Sequence, residues 1–312
     1  MRTIAITGGT GFVGRHLISH FLSRGWSVRA LARNPENLPH KDQISTIKGS
    51  LDHIDRLEEL IEDAKVVAHC AGSIKARAST EFFNINSDGV ETIARVCAES
   101  PTRPKLINLS SRAARAPELS DYAASKYAGE ERLRRFADRL DGVSLRAPIV
   151  YGPGDTETLK ILKGMKHRIA IAPRPKSTRI GFIFIEDLCA AIEALAQTEI
   201  SGVHTVDAGD PSAQGHTWPE IADIVGDCLK RKVYCIALPP APLRLAASVS
   251  ALVTHAVGGT PMLTTGKINE FYCQSMAETG SDLTNLTGWK PTVTIIEGMA
   301  QTCEWYQEQG LL

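Results

Sequence analysis

The stretch Thr7-Gly8-Gly9-Thr10-Gly11-Phe12-Val13-Gly14 constrains this chain more than any other part of it. It follows the apolar run Thr3-Ile4-Ala5-Ile6, which reads as a short buried strand. It precedes Arg15-His16-Leu17-Ile18-Ser19-His20-Phe21-Leu22, whose apolar residues have helical spacing. A glycine-rich turn between a first strand and a first helix brings backbone close to a pyrophosphate. The helix start then supplies free N–H groups and a partial positive charge. On this reading Gly8 allows the tight turn, Gly11 the close approach and Gly14 the packing of helix on strand. Thr10, Phe12 and Val13 complete the binding turn. A purely structural turn is the plainer alternative, but the strand and helix that the motif demands are both present.

Strand patterns at 2–7, 27–33, 44–48, 65–70, 104–110 and 142–147 alternate with helical patterns at 12–24, 53–62, 79–99 and 121–140. This alternation predicts an α/β fold: a doubly wound parallel sheet with helices on both faces, over residues 1–150. After Pro148 the rhythm changes. Phe182–Ile185, a helix over 186–198 and Val203–Val206 read as a return to the sheet, so 180–207 is grouped with it. Residues 151–179 and 208–312 are expected to form a smaller C-terminal substrate lobe over the carboxyl ends of the strands. Within it, Thr217 and Glu220 fit a capping box that opens a helix.

The 312 residues carry 35 basic and 35 acidic side chains, and this zero net charge argues against nucleic acid as a partner. No apolar run approaches the roughly 20 residues that span a bilayer, and the chain enters a strand at once, so neither a transmembrane segment nor a signal peptide is expected. The seven cysteines are scattered without a C-x-x-C pair and read as reduced packing residues of a cytoplasmic protein. The nine histidines have no metal-ligand spacing, so no metal is expected.

Tyr122-Ala123-Ala124-Ser125-Lys126 is the second strong signal. On a helix, positions i and i+4 share a face, so a phenol and an ammonium point into one space. A nearby cation favours phenolate and is expected to bring the tyrosine pKa down from about 10 toward neutrality. Tyr122 then suits general acid/base work. Ser111 closes the strand pattern Lys105–Ser111 and would sit at the same carboxyl-end cleft. A solvated helix face is the ordinary meaning of such a Tyr/Lys pair, but the glycine turn and strand-end serines upstream favour the chemical one.

TGGTGFVG, LSS at 109–111, YAASK at 122–126 and LRAPIVYGPGD at 145–155 together resemble the extended short-chain dehydrogenase/reductase superfamily, often described as NAD-dependent epimerases/dehydratases. The likeness extends to FIFIEDLCAAI at 182–192 and LTGWKPTVTIIEGM at 286–299. It implies a Rossmann fold and a catalytic triad of Ser111, Tyr122 and Lys126, with Lys126 also bonding the nicotinamide ribose. It places Gly8, Gly11 and Gly14 on the pyrophosphate, His69-Cys70-Ala71-Gly72 beside the adenine-side ribose, and Pro148 and Val150 at the nicotinamide. Asn86 matches a family asparagine whose role is either chemical or a matter of capping and packing. The family's hydroxyl often lies four residues before a Tyr-Gly pair. Arg115-Ala116 stand in that pair's place, so the count falls on Ser111 rather than Ser110. The loop between Ser111 and Tyr122 is short for the sugar-nucleotide enzymes.

Cofactor preference is read at the end of the second strand. NAD binders place Asp or Glu there. This chain has Arg33 with no carboxylate beside it, and a guanidinium suits a 2′-phosphate, so NADP(H) is preferred and NAD(H) remains possible. Ser50 stands where the family often has an Asp for the adenine amine. Between Lys160 and Arg179 lie seven Lys/Arg residues, His167 and no acid, which could hold an anionic handle but read more simply as a solvated face. Sugar-nucleotide members usually carry Arg seven residues before the Asp at 187. Here that position is Ile180, with Arg179 one place off, which counts against a nucleotide-sugar substrate. The apolar stretch 241–257 reads as a packed lobe helix, with a roof over a greasy pocket or a membrane contact as alternatives. The helices at 79–99 and 120–140 are expected to pair in a homodimer, as is common in the family. Together these readings point to an NADP(H)-preferring oxidoreductase acting on a carbonyl/alcohol pair of a small molecule. The rivals are an NAD(P)-dependent epimerase/dehydratase of a sugar and a non-catalytic NADPH sensor or assembly protein.

Overall fold

The strands of the first half feed two apolar cores, one on either face. The structure, a computed structural model, describes residues 2–247, 264–273, 277, 279, 280 and 282–312. Six strands, β1 (Thr3–Thr7), β2 (Ser27–Ala32), β3 (Ser45–Lys48), β4 (Val66–His69), β5 (Lys105–Ser111) and β6 (Gly142–Ala147), join Val203–Asp207 in a seven-stranded sheet. Its order is Val203–Asp207, β6, β5, β4, β1, β2, β3, and every pairing is parallel. Ile4 and Ile6 of β1 enter one core and Ala5 the other; on β4, Val66 and Ala68 oppose Val67 in the same way. Burial on both faces is what a parallel sheet with helical crossovers requires.

The first core is closed by α1 (Phe12–Ser23) and the helix Ile185–Gln197. The second is closed by α2 (Ile54–Ile61), α4 (Gly89–Glu99) and α5 (Asp121–Arg134), with α3 (Ser79–Phe83) preceding α4. The chain runs outward from β1 in one direction and from β4 in the other. The crevice between these two strands is therefore the switch point at which open α/β sheets take ligands.

Three expectations change. The helix anticipated over 79–99 is interrupted by a π-helical turn at Asn84–Asp88. The helix anticipated over 121–140 ends at Arg134. Phe182–Phe184 does not join the main sheet but pairs in parallel with Ile149–Tyr151. An apolar run in a fully buried strand looks the same in either sheet, which is why the pattern misled. Of the apolar stretch 241–257, residues 241–247 are helical and the remainder lies outside the described residues. The capping box at Thr217 and Glu220 is present, with both reciprocal bonds formed.

The later motifs hold one another. Asp187 accepts hydrogen bonds from the backbone N–H of Thr292 at 3.0 Å and of Val293 at 2.9 Å, and from the Thr292 hydroxyl at 3.0 Å. Asp155 caps the helix Thr156–Met165 through the N–H groups of Glu157 and Thr158, both at 3.0 Å.

Candidate active site

Gly8 has φ +73°, and a Cβ there would stand 2.6 Å from the Ala71 nitrogen and 2.7 Å from the Cys70 oxygen. Only glycine lets the first turn lie this close to the end of β4. A Cβ at Gly14 would stand 2.2 Å from the Gly8 oxygen, so Gly14 seats α1 on the turn itself rather than on the strand. Gly11 is the N-cap of α1 and forms no side-chain cap, and no acid lies in the first helical turn. The N–H groups at Phe12 and Val13 thus begin a helix without a competing side chain, while Thr10 and Gly11 are exposed. This cradle fits a dinucleotide diphosphate.

Thr7 ties the crevice together. Its hydroxyl lies 2.8 Å from His69 Nδ1 and accepts the Ala71 N–H at 3.3 Å. Burial, with the charge of Lys126, pushes His69 down to about 3, so the ring is neutral. Arg33 is exposed just past β2 and has no hydrogen-bond or ion-pair partner among the described residues. Ser50 bonds locally to Asp52 at 3.2 Å and His53 at 3.1 Å. Ala71 and Pro148 are half-buried and Gly72 is exposed, just past the ends of β4 and β6, and Val150 is half-buried within the short strand Ile149–Tyr151.

The two neighbouring serines differ sharply. Ser110 is buried and donates at 2.5 Å to Glu130, which is itself paired with Arg146 at 2.6 Å. Ser111 is half-buried, accepts the Ala113 N–H at 3.2 Å, and lies near enough to the Tyr122 phenol to lower its pKa. Tyr122 and Lys126 lie on successive turns of α5. Lys126 Nζ donates to the Leu109 carbonyl at 2.9 Å, and a Cβ at Gly72 would stand 3.0 Å from it. The structure thus brings Ser111, Tyr122, Lys126 and Gly72 into one space.

The expected lowering of the tyrosine pKa is not what this geometry gives. Burial pushes Tyr122 up to about 12; the nearby Ser111 hydroxyl lowers it and the charge of Glu270 raises it. Burial likewise presses Lys126 down to about 8. The ammonium is engaged by Leu109, and desolvation outweighs its attraction for a phenolate.

Sequence reasoning named Asn86 with its role left open, and it missed the supporting residues Arg112 and Glu270. Asn86, 1% exposed, accepts the Ser73 N–H and donates to the Ser73 carbonyl, both at 2.9 Å, and donates to Ser125 at 3.0 Å. It clamps the loop after β4 onto α5, so packing is the role the geometry gives it. Arg112, 2% exposed, donates to the carbonyls of Ala277 at 2.7 Å and Ala208 at 2.5 Å, and to Thr279. Glu270 accepts from Ser120, beside Tyr122, and burial raises its pKa. No spacing in the sequence signals these contacts, because the partners come from distant segments. Arg179 donates to the Gly215 carbonyl at 2.8 Å, and it forms with Ile180 a two-residue strand against His216–Thr217.

The model of the NAD dependent epimerase/dehydratase family matches residues 4–209. The chain belongs to this family, within the extended short-chain dehydrogenase/reductase superfamily. Its members are nicotinamide-dependent enzymes, and this chain is one. A ceramide reductase of Caulobacter vibrioides is 33% identical over 99% of this chain and 96% of its own length. A decarboxylating sterol-4-alpha-carboxylate 3-dehydrogenase of Dictyostelium discoideum is 25% identical over 50% of this chain and 55% of its own length. Among solved structures, a UDP-glucuronic acid 4-epimerase from Bacillus cereus, in complex with UDP-glucuronic acid and NAD, superposes with a TM-score of 0.75. It is 17% identical, over 99% of this chain and all of its own, a likeness of fold.

Val90, Ile93, Ala94 and Val96 of α4 are buried in the second core. On the exposed side of the α4 and α5 pair Tyr127 of α5 is 39% exposed, and Arg132 bridges from α5 to Asp88 at 2.8 Å and to Glu91.

Proposed function

We propose that this enzyme is an NADP(H)-preferring reductase of a ketone on a long-chain, ceramide-type lipid. The observation that carries the reading is the placing of Ser111, at the carboxyl end of β5, beside the Tyr122 phenol, with Lys126 one turn along α5. The lipid substrate class is supported by the full-length likeness to a ceramide reductase. The phosphate preference is supported by the exposed, unpartnered Arg33. On this reading residues 1–150 with 180–207 bind cofactor, and 151–179 with 208–312 form the substrate lobe.

A bound nicotinamide supplies the hydride. Tyr122, protonated throughout the physiological range, gives its phenolic proton to the carbonyl oxygen. Ser111 holds that oxygen by a second hydrogen bond. Lys126 binds the cofactor ribose and restores charge balance as the phenol loses its proton. Gly8, Thr10, Gly11, Phe12, Val13 and Gly14 hold the diphosphate, Ala71 and Gly72 flank the adenine-side ribose, and Pro148 and Val150 border the nicotinamide. Arg179 is occupied with Gly215, which leaves no arginine at the position where sugar-nucleotide enzymes use one. Among the described residues no helix is long and apolar enough to cross a membrane, and a cytoplasmic location fits this reading.

The test is oxidation of NADPH by the purified protein with a ceramide-type ketone, followed optically and by mass spectrometry of the product alcohol. Stoichiometric NADPH loss and alcohol formation are expected. Interconversion of a UDP-sugar without net cofactor change would assign the epimerase chemistry instead. Tight NADPH binding without turnover of any carbonyl or sugar would assign the sensor role.

A further inference from the structure

The paired strands Ile169–Pro173 and Tyr234–Leu238 invert the ordinary alternation of a half-exposed sheet. Their inward positions include the small residues Ala170 and Ala172, both buried, and the helix Trp218–Cys228 contacts both strands. Their outward positions hold Ile169, Ile171, Tyr234 and Ile236, which are 49, 48, 55 and 45% exposed. The parallel register sets Tyr234 opposite Ile169 and Ile236 opposite Ile171, so the four side chains form one patch.

Cations rim this patch at both ends. Lys166, Arg168, Lys230, Arg231 and Lys232 are exposed where the strands begin, and Arg174 and Lys176 where the first of them ends. Lys232 Nζ lies 5.4 Å from the centre of the Tyr234 ring. Neither 158–185 nor 228–247 contains an Asp or Glu. A contiguous apolar patch with a charged rim is the surface pattern of a protein or membrane contact. Four side chains cover only a few hundred Å², well short of the roughly 800 Å² per partner of a stable protein interface. Shallow burial of apolar side chains among lipid headgroups, with lysines and arginines at the phosphates, needs no more area than this.

We propose that this two-stranded face docks the enzyme on an anionic lipid bilayer. The proposal gives the basic tract 160–179 a use outside the active site. It draws its purpose from the lipid-reductase reading, but it is tested without turnover.

The experiment is flotation of the full chain, loaded with NADPH, with vesicles of phosphatidylcholine alone or mixed with phosphatidylglycerol. Wild type is expected to float with the mixed vesicles only, and to dissociate as salt is raised. The variants Ile171→Ser/Ile236→Ser and Arg174→Glu/Lys176→Glu should each lose at least about tenfold in vesicle affinity with circular dichroism and NADPH binding unchanged. Wild type that ignores anionic vesicles, or variants that bind as well as wild type, would overturn the proposal. So would a wild-type dimer in sedimentation that the isoleucine variant abolishes, since the face would then belong to a second copy. Vesicle binding that persists where no lipid ketone is reduced supports docking and counts against the reductase reading alone.

Discussion

Burial acts on Tyr122 and Lys126 in opposite senses, taking the phenol up to about 12 and the amine down to about 8. Tyr122→Phe removes one hydroxyl and should leave NADPH affinity near wild type while turnover falls by about 10²–10⁴-fold. Lys126→Ala should lower both, because in the proposed mechanism the same amine meets the cofactor ribose. The pair is read from isothermal titration beside steady-state rates, and near-normal turnover in Tyr122→Phe would remove the mechanism. The pH profile follows from the amine. As pH rises through about 8, Lys126 loses its proton while Tyr122 keeps its own. NADPH affinity and kcat/KM should therefore fall together above about pH 8, and Lys126→Arg, which stays charged, should flatten that limb. Arg33→Ala should weaken NADPH by at least about tenfold and spare NADH. Equal NADPH affinity in both proteins would sink the assignment. Counting residues against the family pattern pointed to Ser111, and it is Ser111, not the buried Ser110, that lies beside Tyr122. The direction of the tyrosine shift was not legible, because it depends on how many atoms crowd the phenol.

At the scale of elements, the six strands were legible because fully buried parallel strands are short, apolar and spaced by helices. The break at Asn84–Asp88 was not, since a π turn draws on the same residue types as the helix around it. Its function emerges only in contact with α5: a Cβ at Gly129 would stand 2.2 Å from the Asn86 carbonyl oxygen. Gly129→Val should therefore cost at least about 1–3 kcal/mol through overpacking, measured as a lowered urea midpoint. Asn86→Ala leaves the Ser73 N–H and carbonyl without their partner and should cost about as much. It should also raise KM for NADPH, since the loop it holds leads on from Gly72. A variant that loses stability with unchanged KM would confine Asn86 to packing.

For the whole molecule, stability should depend on His69 in mild acid. Unfolded, the ring takes up a proton as pH falls through about 6.5; folded, it stays neutral to about 3. Its contribution is thus complete above pH 6.5 and is lost on acidification, by about 2 kcal/mol between pH 6.5 and 5. Urea unfolding across that range should show the slope in wild type and a shallower one in His69→Gln. A greater dependence runs through Arg112, whose partner Ala277 lies 165 residues further along the chain. At roughly 5–20 residues per second, a ribosome needs on the order of ten to thirty seconds to bring the two together. During that interval the serine next to Arg112 has its strand and its helix but not the anchor that fixes the end of β5. A nascent chain can therefore fold its sheet early and yet acquire a finished active site only late in its own synthesis.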